Sequence, residues 1–212
     1  MKFIPAKTPS FIKKIFPAYV WDIPTCEKVL YLTFDDGPTP GITDWVLNTL
    51  AEHKAKASFF CIGKNVKAHQ EIYNRILKEG HTVGNHTHTH IKGWHNRTPA
   101  YINNVIEAAN YIDSNLFRPP YGEITISKGK QLRKLGYQII MWDVVAIDWD
   151  IGVSKEKVAN NVLRNAKKGS IIVFHDSIKA EKNMKYALQK TLDYFINKGY
   201  EFKALKNDDI KS

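Results

Sequence analysis

Cysteine is scarce: the 212 residues hold two, Cys26 and Cys61. No CxxC spacing joins them, which argues against a disulfide framework, a zinc knuckle and a dithiol redox motif. Cys61 sits in the apolar run Phe59-Phe60-Cys61-Ile62, where a cysteine acts as a small buried hydrophobe. Both thiols are expected to be structural and reduced. Long apolar runs are missing too, and nothing approaches the roughly 20 apolar residues of a membrane-spanning helix. Within residues 1–22, Lys13 and Lys14 separate Phe11-Ile12 from Ile15-Phe16, and Pro5, Pro9 and Pro17 break the segment. It does not read as a secretory signal. The expectation is an N-terminal arm over residues 1–25, packed on a single domain of residues 26–212. A cytoplasmic location is expected, with envelope association as the alternative. Repeats and low-complexity tracts are absent, and no GxGxxG or GxxxxGKS loop follows the first apolar run, so a nucleotide site is not supported.

The formal net charge is +10, from 31 lysines and arginines against 21 acidic residues. Such an excess can attract polyanions. The lysines are dispersed, however, as at Lys54, Lys64, Lys128 and Lys167, and do not alternate with aromatic residues. A solvated basic surface is the expectation, with no nucleic-acid partner and a monomeric chain.

What is abundant is alternation between apolar runs and helical patterns. β-rich or continuous apolar segments occupy residues 29–34, 57–62, 81–83, 116–117, 137–142, 171–174 and 201–205. Helical spacing fills residues 43–53, 71–79, 98–114, 127–135, 154–167 and 181–198. Strand–helix alternation predicts an α/β fold with a mostly parallel sheet covered by helices. An open doubly wound sheet and a closed barrel both satisfy that pattern.

The unusual polar residues follow the apolar runs: Asp35-Asp36, then His86, His88 and His90, then Arg118, then Asp143 and Asp148, then His175-Asp176. In a parallel barrel the C-terminal ends of the strands converge on one rim, where active sites form. In the segment His86-Thr87-His88-Thr89-His90, an extended chain would place His86 and His90 about 13 Å apart, too far for one ion, leaving His86 and His88 as the pair. A helical turn would bring His86 and His90 to about 6 Å. Gly84-Asn85 ends the preceding strand, which favours the turn. One carboxylate added to two imidazoles gives the open three-ligand set of a catalytic zinc site. Asp35 and Asp36 are adjacent, so one can ligate while the other remains free as a base.

Taken in order, these segments resemble the polysaccharide deacetylase family, carbohydrate esterase family 4. The matching segments are Thr33-Phe34-Asp35-Asp36-Gly37, His86-Thr87-His88-Thr89-His90, Arg118-Pro119-Pro120-Tyr121-Gly122, Asp148-Trp149 and Val173-Phe174-His175. The resemblance implies a distorted (β/α) barrel, TIM-like with fewer than eight regular strands. It implies a divalent metal, zinc before cobalt or nickel, held by Asp36, His86 and His90, with His88 at a free position. Asp35 is implied as catalytic base, oriented by Arg118, and His175 as general acid. Asp148 is implied to couple to Arg118 and the acid–base pair, and the Tyr121 backbone N–H to bind an oxyanion. Tyr121, Trp149 and Val173 are implied at the substrate. Val173 stands where the family has leucine.

The implied activity is removal of acetyl groups from N-acetylated sugars. The alternatives are an O-acetyl esterase on xylan-like polymers and a silent carbohydrate-binding domain. For Trp94 and Trp142, core packing is expected rather than sugar contact.

Overall fold

The computed structural model describes residues 5–206, 208 and 210. Among these, seven parallel strands run in the order β5-β4-β3-β2-β1-β7-β6. They are β1 (Val29–Asp35), β2 (Ala57–Cys61), β3 (Thr82–Asn85), β4 (Leu116–Phe117), β5 (Gln138–Ile139), β6 (Val144–Val145) and β7 (Ile171–His175). The short β8 (Glu201–Phe202) pairs with the start of β1. The helices are α1 (Ser10–Ile15), α2 (Ile42–Glu52), α3 (Gly63–Ala68), α4 (Gln70–Lys78), α5 (Thr98–Ala109), α6 (Ile126–Lys134), α7 (Lys155–Leu163) and α8 (Glu181–Asn197). The architecture is a distorted TIM-like (β/α) barrel, which decides between the two layouts left open by the sequence.

Period-two geometry explains how continuous apolar strands serve two faces. Along β1, Leu30, Leu32 and Phe34 face outward into the main core, under helices α2, α7 and α8. Val29 and Tyr31 face inward with Ile171 of β7 and Phe60 of β2. Thr33 and Asp35 continue that inward row, so the interior changes from apolar to polar toward the C-terminal ends of the strands. On β7 the same alternation places Phe174 outward and Val173 and His175 inward.

The apolar run at residues 137–142 was expected to be one strand. It is divided: β5 stops at Ile139, Ile140 makes an isolated bridge to Val20, and β6 begins at Val144. Edge strands β5 and β6 do not pair with each other. The gap is spanned by residues 6–23. Val20 N–H donates to the Ile139 carbonyl and the Val20 carbonyl accepts from Met141 N–H. The Ala6 carbonyl accepts from Val145 N–H, and Ile23 N–H donates to the Gly169 carbonyl.

Asp143 anchors this segment. Its buried carboxylate receives Lys7 Nζ and Lys13 Nζ, each at 2.5 Å, and the Ser170 hydroxyl at 2.5 Å. Burial alone would raise the pKa of Asp143, but these hydrogen bonds hold it below the ordinary carboxylate value. Grouped by sequence with the rim residues, Asp143 instead opens β6 and belongs to the barrel closure. Cys26 is exposed and Cys61 buried, and both are free.

Candidate active site

Asp35 is the last residue of β1, and Asp36 follows it in the left-handed region, at φ 83°. That backbone turn sends the two adjacent carboxylates in different directions. Asp36 meets His86 and His90: one ligand atom from each lies within 4.8 Å of the others. Asp36 Oδ1 is 3.2 Å from His90 Nε2 and 3.8 Å from His86 Nε2. That oxygen is buried without a hydrogen bond of acceptable geometry. Two imidazole nitrogens converging on a carboxylate oxygen that lacks a satisfactory partner fit a divalent cation.

The histidine segment is not a helical turn. It leaves β3 as an irregular loop with Thr87 at φ 65° and His90 at φ 55°. Loop shape comes from asparagines. Asn85 Oδ1 accepts from Thr87 N–H, and Asn104 Oδ1 on α5 accepts from His88 N–H and Thr89 N–H. The rings of His86 and His90 end 5.1 Å apart. His88 turns away, its Nε2 3.3 Å from Glu107 and its ring beside Tyr111.

His86 is tuned from behind. Its Nδ1 donates to the Arg118 carbonyl at 2.8 Å, leaving the Nε2 lone pair for a ligand. Burial, with the charge of His90, lowers its pKa to about 4, so the ring is neutral, as metal ligation requires. For Asp36, burial would raise the pKa. The close approach of the His90 imidazole and the charges of His175, His86 and His90 outweigh it and hold the carboxyl below its usual range.

Arg118 is fully buried. Its guanidinium donates to Asp35 Oδ1 at 2.7 Å, to Thr33 Oγ1 at 2.6 Å, and to the carbonyls of Ile140 and Met141. It also stacks 4.0 Å over the Phe60 ring. The sequence motif gives Thr33 no role of its own, but its hydroxyl forms part of this clamp.

His175 Nδ1 donates to Asp148 Oδ1 at 2.8 Å, and its backbone N–H donates to Asp148 Oδ2 at 2.8 Å. Asp148 is therefore bonded to His175, not to Arg118. Burial would lower the His175 pKa, but the Asp148 carboxylate, joined by Asp36 and Asp35, raises it to about 9. Trp149 packs edge-on to this imidazole at 4.7 Å. Val173 is buried on the same strand face, two residues below.

Tyr121 sits at φ 60°, its ring 4.7 Å from that of His90 and largely exposed. Asp36 and His90 border a cleft of about 510 Å³, lined also by Pro38, Asn65, Ser177 and Ile178. The sequence favoured core packing for Trp94; the structure puts it on the surface instead.

Asp176, grouped by sequence with the rim residues but without a role there, lies behind the site. Its buried carboxylate accepts the Gly37 N–H at 3.1 Å and the Thr43 hydroxyl at 2.5 Å, beneath the Asp35-Asp36 turn. A Cβ on Gly37 would fall 2.0 Å from Asp176 Oδ2, so only glycine permits this approach. Burial, helped by the charge of Asp36, raises its pKa to about 7 against the two hydrogen bonds.

Residues 22–140 match the family described as polysaccharide deacetylase. The chain belongs to that family. A peptidoglycan-N-acetylglucosamine deacetylase of Bacillus cereus is 35% identical to this polysaccharide deacetylase, across 86% of this chain and 88% of its own length. The peptidoglycan-N-acetylmuramic acid deacetylase PdaA of Bacillus subtilis is 30% identical, across 95% of this chain and 77% of its own. Among solved structures, the Bc1960 peptidoglycan N-acetylglucosamine deacetylase superposes with a TM-score of 0.84 at 33% identity, covering 93% of this chain and 95% of that one.

Proposed function

We propose that the protein hydrolyses N-acetyl groups on a peptidoglycan-type glycan, using a single divalent metal held by Asp36, His86 and His90. The observation that carries this reading is the pair of carboxylates at the end of β1: one faces two imidazoles, and its neighbour is clamped by a buried arginine. Support for the glycan comes from the relatives, whose names specify peptidoglycan amino sugars. Zinc is the proposed metal, because two nitrogens and one oxygen with an open position is its catalytic set.

When bound, the cation supplies Lewis-acid polarisation of the acetyl carbonyl and makes water more acidic. The chain's own residues do the rest. Asp35 takes the proton of the attacking water, and Arg118 and Thr33 fix its orientation. The Tyr121 backbone N–H stabilises the carbonyl oxygen as negative charge develops on it. An amine departs poorly unless protonated. His175 supplies that proton from Nε2, with Nδ1 held by Asp148. Trp149 and Val173 shape the space for the acetyl group.

Metal analysis combined with acetate release from chitooligosaccharides, peptidoglycan and acetylxylan tests the reading. One metal per chain and acetate from the N-acetylated substrates are expected. Release from acetylxylan alone would identify an O-acetyl esterase, and no release with metal bound would identify a silent binding domain.

A further inference from the structure

Asp36 lies at φ 83°, in a left-handed conformation that is sparsely populated by residues other than glycine. The conformation matters here, because it sends the Asp35 and Asp36 carboxylates apart. Backbone of this kind persists where its surroundings over-determine it. Four main-chain groups of residues 35–37 are held from outside the turn. The Asp35 carbonyl accepts from Asp176 N–H at 3.1 Å, and the Gly37 N–H donates to Asp176 Oδ1 at 3.1 Å. The Asp36 carbonyl accepts from the Asn65 side-chain amide at 2.7 Å, and the Gly37 carbonyl accepts from Ile62 N–H at 2.9 Å. Asp176 thus grips the chain on both sides of Asp36. Its second carboxylate oxygen is fixed in turn by the Thr43 hydroxyl at 2.5 Å, and that hydroxyl also accepts from Thr39 N–H at 2.8 Å.

We propose that Asp176 is a positioning residue for the metal site, holding Asp36 in the left-handed conformation that separates candidate ligand from candidate base. The proposal rests on the single-metal reading and adds to it a residue outside the recognised motifs. Asp176 is fully buried, and the cleft is lined by Ser177 and Ile178 beyond it, so it acts through the turn rather than on a substrate. A carboxylate is a costly choice for packing alone, since burying it requires hydrogen bonds to replace water. An apolar side chain could fill the volume, but the buried Gly37 N–H would then lack an acceptor. The fit is also close: a Cβ on Gly37 would fall 2.0 Å from Asp176 Oδ2 and 2.7 Å from Oδ1, so the carboxylate occupies the space that another side chain would need. Because Asp176 directly follows His175 at the end of β7, it also ties the strand carrying the candidate proton donor to the turn carrying the candidate base.

The test measures zinc affinity by equilibrium dialysis for the wild type, Asp176→Ala and Asp176→Asn, well below the unfolding temperature of each. Asp176→Ala is expected to weaken zinc binding roughly 10–100-fold, the range for loss of a group that orients a ligand. Asp176→Asn keeps an acceptor for the Gly37 N–H and is expected to restore most of the affinity. Unchanged zinc affinity in folded Asp176→Ala overturns the assignment, whatever that variant loses in thermal stability. Should Asp176→Ala fail to fold, Thr43→Val takes its place, since it keeps the side-chain shape and releases the carboxylate from its second anchor. Zinc bound severalfold more weakly by Thr43→Val then supports the assignment, and equal affinity overturns it. If the wild type itself binds no zinc, the single-metal reading fails instead, and crystal structures of the wild type and the folded variant decide the positioning role separately. Asp36 leaving the left-handed region in the variant supports it; an unchanged φ overturns it.

Discussion

His86 and Asp35 are positioned by the same residue: the Arg118 carbonyl accepts from His86 Nδ1 at 2.8 Å, while the Arg118 guanidinium donates to Asp35 at 2.7 Å. One arginine thus orients a candidate metal ligand with its main chain and the candidate base with its side chain. Arg118→Lys retains the carbonyl and the charge but loses the planar fork and the stacking on Phe60. It is expected to keep metal and lower kcat by about 100-fold, the lower range for a mispositioned base. Arg118→Met leaves Asp35 unpaired in a buried site and is expected to destabilise the fold by about 3–5 kcal/mol. Thermal unfolding and metal content of the two variants check both outcomes.

Asp35→Asn removes the base without touching the triad. Retained metal with kcat reduced by about 10²–10⁴-fold is expected. Near-normal acetate release from this variant would show that another group takes the proton.

His88 looks like a ligand in sequence, but it faces Glu107. His88→Ala is expected to keep one metal per chain and a rate within a few-fold of wild type, whereas His90→Ala loses the metal. Equilibrium dialysis against zinc distinguishes the two histidines. Loss of metal from His88→Ala would overturn the assignment.

The raised His175 pKa sets the sign of an alkaline effect. As the donor, His175 is active while protonated, so its contribution is full below its folded pKa and lost as pH rises through about 9. Asp148→Asn removes the largest influence raising that value, so the alkaline limb of kcat is expected to move to lower pH. A rate–pH profile with its alkaline limb unchanged in Asp148→Asn would remove His175 from this role.

Much of the site was legible because its chemistry is local. Asp35 and Asp36 are neighbours and the histidines are clustered, so residue type marked the site, although the helical turn expected to bring His86 and His90 together is an irregular loop instead. What escaped depended on distant partners. The Asn104 clamp on the histidine loop comes from another element, 15 residues beyond Thr89. The Asp176 contact with Gly37 spans 139 residues. Asp143 was misplaced because residues 139–142 form an unbroken apolar run across the point where β5 ends, and nothing nearby marks the division between β5 and β6. The strand–helix alternation was readable, but the barrel's closure was not, since that depends on Lys7 and Lys13 finding Asp143.

That closure gives an acid-dependent stability. Asp143 has a folded pKa below its ordinary value, so its stabilising contribution is present above the ordinary carboxylate range and is lost as pH falls through the folded pKa. Asp143→Asn is expected to lower the unfolding temperature at neutral pH, with the gap from wild type narrowing in acid. Thermal scans at several pH values check this, and a constant gap would contradict it.

The opening between β5 and β6 is filled by a stretch of chain that precedes both strands in sequence. Lys7 waits for a carboxylate that lies 136 residues further along. Such long-range pairing forms slowly, because loop-closure entropy is lost before the contact contributes. During synthesis residues 6–23 therefore lack these partners until β5 and β6 have emerged.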